Sequence, residues 1–238
     1  EMGVSVEIEF AVDMNPPKGK PITFSFLQLR PVVAGFEAED VAVDTEATDD
    51  ALAVSHSALG NGVYEELSHV VYVRPDAFDP AKSEQIAGRL EEANRRVGEV
   101  GGTYLLVAPG RLGSRDPWLG IPVAWNQISR AQVVCELAIE GFDVDPSQGS
   151  HFFHNITALR VGYVTVSRRE EDFFDTETLD AAEAMWEDEY LRVLDFSAAP
   201  LEVRIDGRSR RAVIRKPSES HAPPRNTESS SSGDSPIR

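Results

Sequence analysis

Residues 70–108 limit the fold of this chain more than any other stretch. Residues 70–73 form a short apolar run that ends before Pro75, and residues 103–108 form a second that ends at Pro109; both patterns predict strands. The segment between them has helical spacing. Strand, helix and strand in this order predict an α/β unit. Ligands of open α/β sheets bind at the carboxyl ends of strands, so the polar loop after Pro109 is a candidate site.

The helix between these strands has a start signal and a buried face. Asp79 suits the N-cap, and Pro80 suits the first helical position. Apolar side chains then recur three or four residues apart, which predicts one face packed against a sheet. These side chains are Ile86, Leu90, Ala93 and Val97.

Later apolar runs extend the same domain. They predict strands at residues 131–139, 161–166, 191–196 and 201–205. Helices are predicted at residues 150–159 and 178–190. The second helix is acidic, and its apolar face is formed by Leu179, Ala182, Met185 and Trp186. We expect residues 63–206 to fold as an α/β or α+β domain, with a mixed sheet and flanking helices.

Residues 1–33 predict a β-hairpin. Residues 4–10 and 22–30 are strand-like, and a turn rich in proline and glycine joins them at residues 15–19. A two-stranded hairpin alone is marginally stable in water. We therefore expect the chain to be the C-terminal part of a longer protein, cut near the end of an upstream domain.

Two segments lack the pattern of a packed domain. Residues 34–62 are acidic, and we interpret them as a linker or solvated loop with a short helical turn at residues 49–59. Residues 207–238 hold seven Lys or Arg against three Asp or Glu and end in a Ser/Pro-rich run. This composition predicts a disordered tail. Its basic charge either simply offsets the acidic body or serves a docking role.

Charge and composition exclude several classes of partner. The 238 residues carry a net charge of -17, which disfavours binding to nucleic acid or to an anionic membrane surface. No apolar run approaches the roughly 20 residues that span a bilayer, and no signal peptide is visible. The single cysteine, Cys135, lies in an apolar run and is predicted to be buried. A cytoplasmic protein is the expectation.

Residues 110–155 contain the densest polar motifs. The run of glycines around Arg111, Ser114 and Arg115 is suited to a phosphate or carboxylate, which backbone N–H groups and guanidiniums bind well. No Gly-Lys-Ser/Thr occurs, so the run is not a Walker loop. The alternative is a tight turn with its arginines paired to nearby acids. Trp118 and Trp125 are predicted to pack in the core.

A second polar cluster lies at residues 147–154. His151 and His154 would share a helix face, but no third metal ligand follows by spacing. His151 is a candidate base or anion ligand. The alternative for this cluster is a helix start capped by Ser150. No Gly-x-Ser-x-Gly elbow occurs, which argues against a hydrolase.

The hairpin carries a resemblance to a known family. EIEFA at residues 7–11 and FLQLRP at residues 26–31 resemble the end of the nucleotide-binding domain of phosphoenolpyruvate synthase and pyruvate, phosphate dikinase. That domain has an ATP-grasp-like fold. The resemblance implies that Glu9 coordinates Mg²⁺ and that Gln28 and Arg30 face the metal and the ATP phosphates. Hard oxygen ligands for Mg²⁺ and an arginine for phosphate agree with this chemistry.

The resemblance implies a function for the longer protein. It predicts an ATP-dependent phosphotransferase that uses Mg²⁺, ATP and a small-molecule or protein phosphate acceptor, with an upstream domain of the same chain completing the site. Residues 34–238 resemble a C-terminal extension of bacterial dikinase-like proteins. The phosphohistidine segment and the phosphoenolpyruvate-binding barrel are both missing from this sequence, and we expect this chain alone to be inactive. The alternative function is a non-catalytic regulatory module that binds an anion or a partner through residues 110–155.

Overall fold

A computed structural model describes residues 6–31, 41–45, 49–114, 116, 118–141, 155–156 and 158–216. The chain divides into two compact units, Glu1–Asp40 and Val41–Arg238. None of the helices within the described residues is long and apolar enough to cross a membrane.

The first unit is an antiparallel hairpin of β1 (Val6–Asp13) and β2 (Thr23–Pro31). The register shifts at a bulge after Glu9. Alternation divides the ladder into an apolar face and a polar face. Phe10 and Phe24 stack on the apolar face, with ring centroids 4.9 Å apart. The large side chains that are exposed on and beside this face are Ile8, Phe10, Val12, Met14, Ile22, Phe24, Phe26 and Leu27.

The described residues of the second unit form sheets of seven, five and two strands, together with two α-helices whose bounds are complete. Its helices are α1 (Ser83–Glu99) and α2 (Thr176–Ala181). Short 3-10 helices lie at Pro75–Ala77, Pro80–Lys82 and Trp125–Ile128. Its strands are β3 (Ala51–Ser55), β4 (Ala58–Leu59), β5 (Gly62–Leu67), β6 (His69–Val73), β7 (Tyr104–Pro109), β8 (Arg111–Leu112), β9 (Gly120–Ile121), β10 (Ala131–Leu137), β11 (Gly162–Val166), β12 (Phe173–Phe174), β13 (Ala184–Glu187), β14 (Leu191–Asp195), β15 (Leu201–Asp206) and β16 (Arg211–Arg215).

The larger sheet has seven strands in the order β13-β14-β6-β7-β10-β11-β4. Its four central strands, β6, β7, β10 and β11, are parallel, and antiparallel strands flank them. The predicted strand–helix–strand unit is β6, α1 and β7. The helix buries the predicted face of Ile86, Leu90, Ala93 and Val97, and the Asp79 side chain accepts from Ala81 N at the start of the preceding 3-10 turn.

The second sheet is antiparallel, with five strands in the order β12-β3-β16-β15-β5. It packs against the face of the larger sheet opposite α1. Side chains from both sheets, among them Leu105, Val133 and Ile205, form the core between them. The unit is therefore a three-layer structure of helix and loops, mixed sheet, and antiparallel sheet. The predicted mixed α/β class is confirmed.

Three segment predictions are corrected. Residues 51–55, predicted within an acidic linker with a helical turn, form the fully buried strand β3 between β12 and β16. Residues 211–215, predicted within a disordered tail, form β16, whose Val213 and Ile214 are buried. Both strands are short apolar runs hidden among charged neighbours. Because each pairs with two other strands, tertiary pairing decides their structure.

The predicted helix at residues 178–190 is also wrong. The structure has the short helix α2, which ends at Ala181, followed by the edge strand β13. Leu179 and Trp186 are at helical spacing in the sequence, but they belong to two separate elements, α2 and β13. Pairing with β14 holds β13 in the extended conformation. The predicted helix at residues 150–159 lies mostly outside the described residues.

Candidate functional site

The hairpin register determines which of the positions that the resemblance names are neighbours. Glu9 is paired with Gln28, and Glu7 is paired with Arg30. Gln28 and Arg30 are two residues apart on β2, as Glu7 and Glu9 are on β1. The three positions that the resemblance assigns to Mg²⁺ and phosphate are therefore close neighbours in the backbone ladder of the hairpin.

The second candidate site is the Arg111 loop (residues 110–121), which follows β7 at the carboxyl end of the parallel strands. Its two ends pair with each other as β8 and β9, in which Arg111 is opposite Gly120. Arg111 N donates to Leu119 O at 2.9 Å, and Gly113 N donates to Ile121 O at 2.9 Å. Gly110 N donates to Leu137 O at 3.0 Å, which ties the loop to the end of β10.

Gly120 allows the backbone at one end of this loop to approach the backbone of Arg111 at the other end closely. A Cβ atom at this position would lie 1.9 Å from the Arg111 carbonyl oxygen and 2.4 Å from its nitrogen. Both atoms are backbone, so no rotation of a side chain could relieve the overlap. A glycine is required here for the two ends of the loop to pair.

Local hydrogen bonds shape the tip of the loop. Ser114 Oγ donates to Asp116 O at 3.1 Å and accepts from Asp116 N at 3.2 Å. Asp116 Oδ1 accepts from Trp118 N at 3.0 Å. Trp118 is 69% exposed, so its predicted core position is wrong. Trp125, in contrast, packs against the core beside α1 as predicted.

A buried carboxylate anchors the loop from below. Glu136 lies on β10 and is 0% exposed. It accepts from Leu112 N at 2.8 Å and from the Tyr163 hydroxyl at 2.5 Å. The loop backbone and the neighbouring strand β11 are therefore both fixed to a single acid.

Burial raises the pKa of Glu136 to about 7, although the Leu112 N–H, the Tyr163 hydroxyl and the charge of Arg111 act in the opposite direction. Thr165 is the register partner of Glu136 on β11, and its buried Oγ1 has no hydrogen-bond partner among the described residues. A carboxyl group that exchanges its proton near neutral pH, at the carboxyl end of a parallel sheet, is a candidate functional group.

Asp172 forms a second acidic centre with the opposite behaviour. Its carboxylate accepts from His56 N at 2.8 Å and from Ser167 N at 3.0 Å, and also from Ser167 Oγ at 2.5 Å. The His56 ring nitrogen Nδ1 lies 3.1 Å from it. Burial alone would raise the pKa of Asp172, but these hydrogen bonds lower it overall. The acid lies between the serine and the histidine, so this order does not activate the serine as a nucleophile.

The predicted site residues separate into three groups. Arg111 and Ser114 belong to one loop, and Glu9, Gln28 and Arg30 belong to the hairpin. Arg115 and His151 lie outside the described residues, as does most of the cluster at residues 147–154. Cys135 is fully buried, which confirms its predicted core position.

Sequence reasoning missed Glu136. The signal was a single acid in the otherwise apolar run from Val133 to Leu137. An unpaired charge is rare in such a strand, because burial penalises its ionised form. Within the described residues, no group of three or more His, Cys, Asp or Glu side chains is arranged to hold a metal ion.

No protein family, no curated protein and no solved structure matches this chain. The class that the fold and the loop define is a three-layer α/β unit with a candidate site at the carboxyl edge of its parallel strands.

Proposed function

We propose that this chain contributes the metal- and phosphate-binding hairpin of an ATP-dependent phosphotransferase similar to phosphoenolpyruvate synthase and pyruvate, phosphate dikinase. The observation that carries this proposal is the register of β1 and β2, which makes Glu9 and Gln28 direct neighbours and puts Arg30 two residues from Gln28.

The chemistry assigns each residue a role. Glu9 supplies a carboxylate ligand for Mg²⁺, which prefers hard oxygen ligands shared with phosphates. Arg30 would bind phosphate oxygens, and Gln28, the register partner of Glu9, would face both groups. Bound Mg²⁺ neutralises charge that develops on the transferred phosphoryl group. The protein's contribution is to position that group and to stabilise its charge.

The test is phosphoryl transfer by the protein that the complete reading frame around these residues encodes. Glu9→Gln is expected to lower kcat/KM for Mg-ATP by about 100-fold, the usual effect of removing one transition-state interaction. The control is Lys18→Gln, an exposed change in the hairpin turn. Unchanged ATP use by Glu9→Gln would overturn the proposal.

A second candidate function has its own supporting observation. The Arg111 loop is fixed by its own backbone pairing and by Glu136, and it presents Arg111 and Ser114 at the carboxyl edge of the sheet. A rigid turn that carries a guanidinium is suited to a small anion. The function that these features favour is a non-catalytic module that binds an anion and regulates the protein.

Sulfate is a suitable probe for this second function because its charge is constant between pH 5 and 9. Calorimetric titration of the intact chain is expected to detect sulfate binding that Arg111→Gln weakens about tenfold, as expected for the loss of one charged hydrogen bond. The matched control is Arg169→Gln, an exposed arginine in the turn before β12. Equal weakening by both variants would indicate a nonspecific effect of charge and would contradict the site.

A further inference from the structure

We propose that His56 is a general base, oriented by Asp172, that activates water for the hydrolysis of a carboxylic ester. This site is independent of the hairpin and of the Arg111 loop. In this site His56 is the catalytic residue, and Asp172 is a positioning residue that does not contact the substrate.

The two side chains meet at the carboxyl end of a parallel strand. His56 lies in the turn between β3 and β4, and Asp172 lies in the loop that follows β11. Thr165 N donates to Ser57 O at 2.9 Å, which ties the turn to the end of β11. Ligands of open α/β sheets bind at this end of the strands, so the place of the pair in the fold favours a functional site.

Asp172 determines which ring nitrogen of His56 carries the proton. Burial acts to raise the pKa of Asp172, but hydrogen bonds from Ser167 and His56 lower it overall, so this carboxylate is ionised and can only accept. His56 Nδ1, which lies 3.1 Å from Asp172 Oδ1, is therefore the donor in this pair. In the neutral ring the other nitrogen, Nε2, then has a lone pair that can take up a proton.

The arrangement leaves Nε2 of His56 accessible. The side chain of His56 is 21% exposed and that of Asp172 is 1% exposed. Among the described residues Nε2 has no hydrogen-bond partner, and it is not one of the buried polar atoms that lack one. His69 differs, because its side chain is buried and its Nδ1 lies 2.8 Å from Ser68 Oγ. A buried carboxylate behind an accessible imidazole is the arrangement that orients a histidine as a base.

The reaction consists of two proton transfers at Nε2. Nε2 takes a proton from water as the water oxygen bonds to the ester carbonyl carbon, and the electron pair of the carbonyl double bond moves to the carbonyl oxygen. The double bond forms again as the bond to the alkoxide breaks, and Nε2–H returns the proton to the leaving alkoxide. The products are a carboxylic acid and an alcohol. Asp172 stabilises the imidazolium between the two transfers, and no serine nucleophile is required.

The experiment is hydrolysis of p-nitrophenyl acetate by the intact chain at pH 8, followed through the release of p-nitrophenolate. His56→Gln is expected to lower kcat/KM about 100-fold, the usual contribution of a general base. Asp172→Asn keeps the imidazole but removes the charge behind it, and it is expected to lower kcat about tenfold or more with KM nearly unchanged. The control His221→Gln removes a histidine near the C-terminal end of the sequence and is expected to retain the rate. Equal rates for His56→Gln and the unmodified chain overturn the proposal.

A measurement without any substitution guards against a variant that fails to fold. Nitrogen-15 NMR of the unmodified chain at pH 9 is expected to show the neutral His56 ring with its proton on Nδ1. Diethyl pyrocarbonate is expected to modify His56 much faster than the buried His69. A proton on Nε2 of the neutral ring, or modification of His56 as slow as that of His69, overturns the proposal whatever the variants show.

Discussion

The hairpin and the Arg111 loop both bring polar groups together, but the structures behind them differ. In the hairpin, register alone aligns Glu9 and Gln28, and the apolar face of the ladder is open, with Phe26 55% exposed. Behind the Arg111 loop lie a packed sheet and a fully buried acid, Glu136. A ligand site on the hairpin would therefore have no packed core of its own behind it, whereas the Arg111 loop is supported by the core of its own unit.

Glycine substitutions should show the largest difference in stability loss between the Arg111 loop and the hairpin. Gly120→Ala forces a Cβ into the backbone of Arg111 and should cost about 4 kcal/mol or more of unfolding free energy. Gly19→Ala in the hairpin turn, where the backbone φ is 91° but nothing lies within 4 Å, should cost about 1 kcal/mol. Amide hydrogen exchange, read separately for the two units, measures both changes. Similar losses would contradict the contrast.

Apolar truncations test how each unit is supported. Leu106→Ala in β7 removes a fully buried side chain and should lower the unfolding free energy of the second unit by about 3 kcal/mol. Phe26→Ala on the open face of the hairpin should cost about 1 kcal/mol or less. Urea unfolding followed by circular dichroism measures the first change, and amide exchange in β1 the second. A large effect of Phe26→Ala would mean that this face is covered in solution.

Glu136→Gln should change the pH dependence of stability. Because the pKa of Glu136 is raised in the folded chain, its protonation stabilises the fold fully below pH 4.5, and this contribution is lost as the pH rises through about 7. Relative to the unmodified chain, Glu136→Gln should therefore become more stable with rising pH, by up to about 3 kcal/mol. Urea unfolding at pH 5 and pH 8 tests this, with Glu84→Gln as the control for loss of charge.

Asp172→Asn should show the opposite sign at a smaller magnitude. The pKa of Asp172 is lowered in the folded chain, so its ionised form stabilises the fold above its unfolded pKa of 3.8, and this contribution is lost at lower pH. The substitution weakens hydrogen bonds from His56 and Ser167 and should cost about 2 kcal/mol at pH 7. The cost should shrink as the pH falls below 3.8. A cost that is independent of pH would contradict the role of its charge.

The parts of the fold that the sequence predicts are those with local signals. The helix α1 combines a cap, a proline and four apolar residues at helical spacing, and β6, β7, β10 and β11 are apolar runs. Strands β3 and β16 carry no such signal, because their short apolar runs lie among charges and depend on pairing with distant strands. The same limit explains β13, which local spacing assigns to a helix.

The candidate site was predictable only in part. Glycine and arginine content marks the Arg111 loop, but the support for that loop comes from Glu136, which is 24 residues from Leu112 in sequence. No local pattern connects those two positions, since parallel strand pairing brings them together. Motif reasoning detects groups that could bind a ligand more readily than the buried groups that hold them in place.

Phosphotransfer chemistry at the hairpin is the proposal to test first, and substitution of Arg30 tests it. ATP-dependent phosphoryl transfer is measured for the complete protein, unmodified and with Arg30→Gln, alongside Lys20→Gln as an exposed control in the same hairpin. We expect Arg30→Gln to lose ATP use by about 100-fold and Lys20→Gln to retain it. Full ATP use by Arg30→Gln, together with its loss in Arg111→Gln, would overturn the assignment to the hairpin and transfer the function to the Arg111 loop.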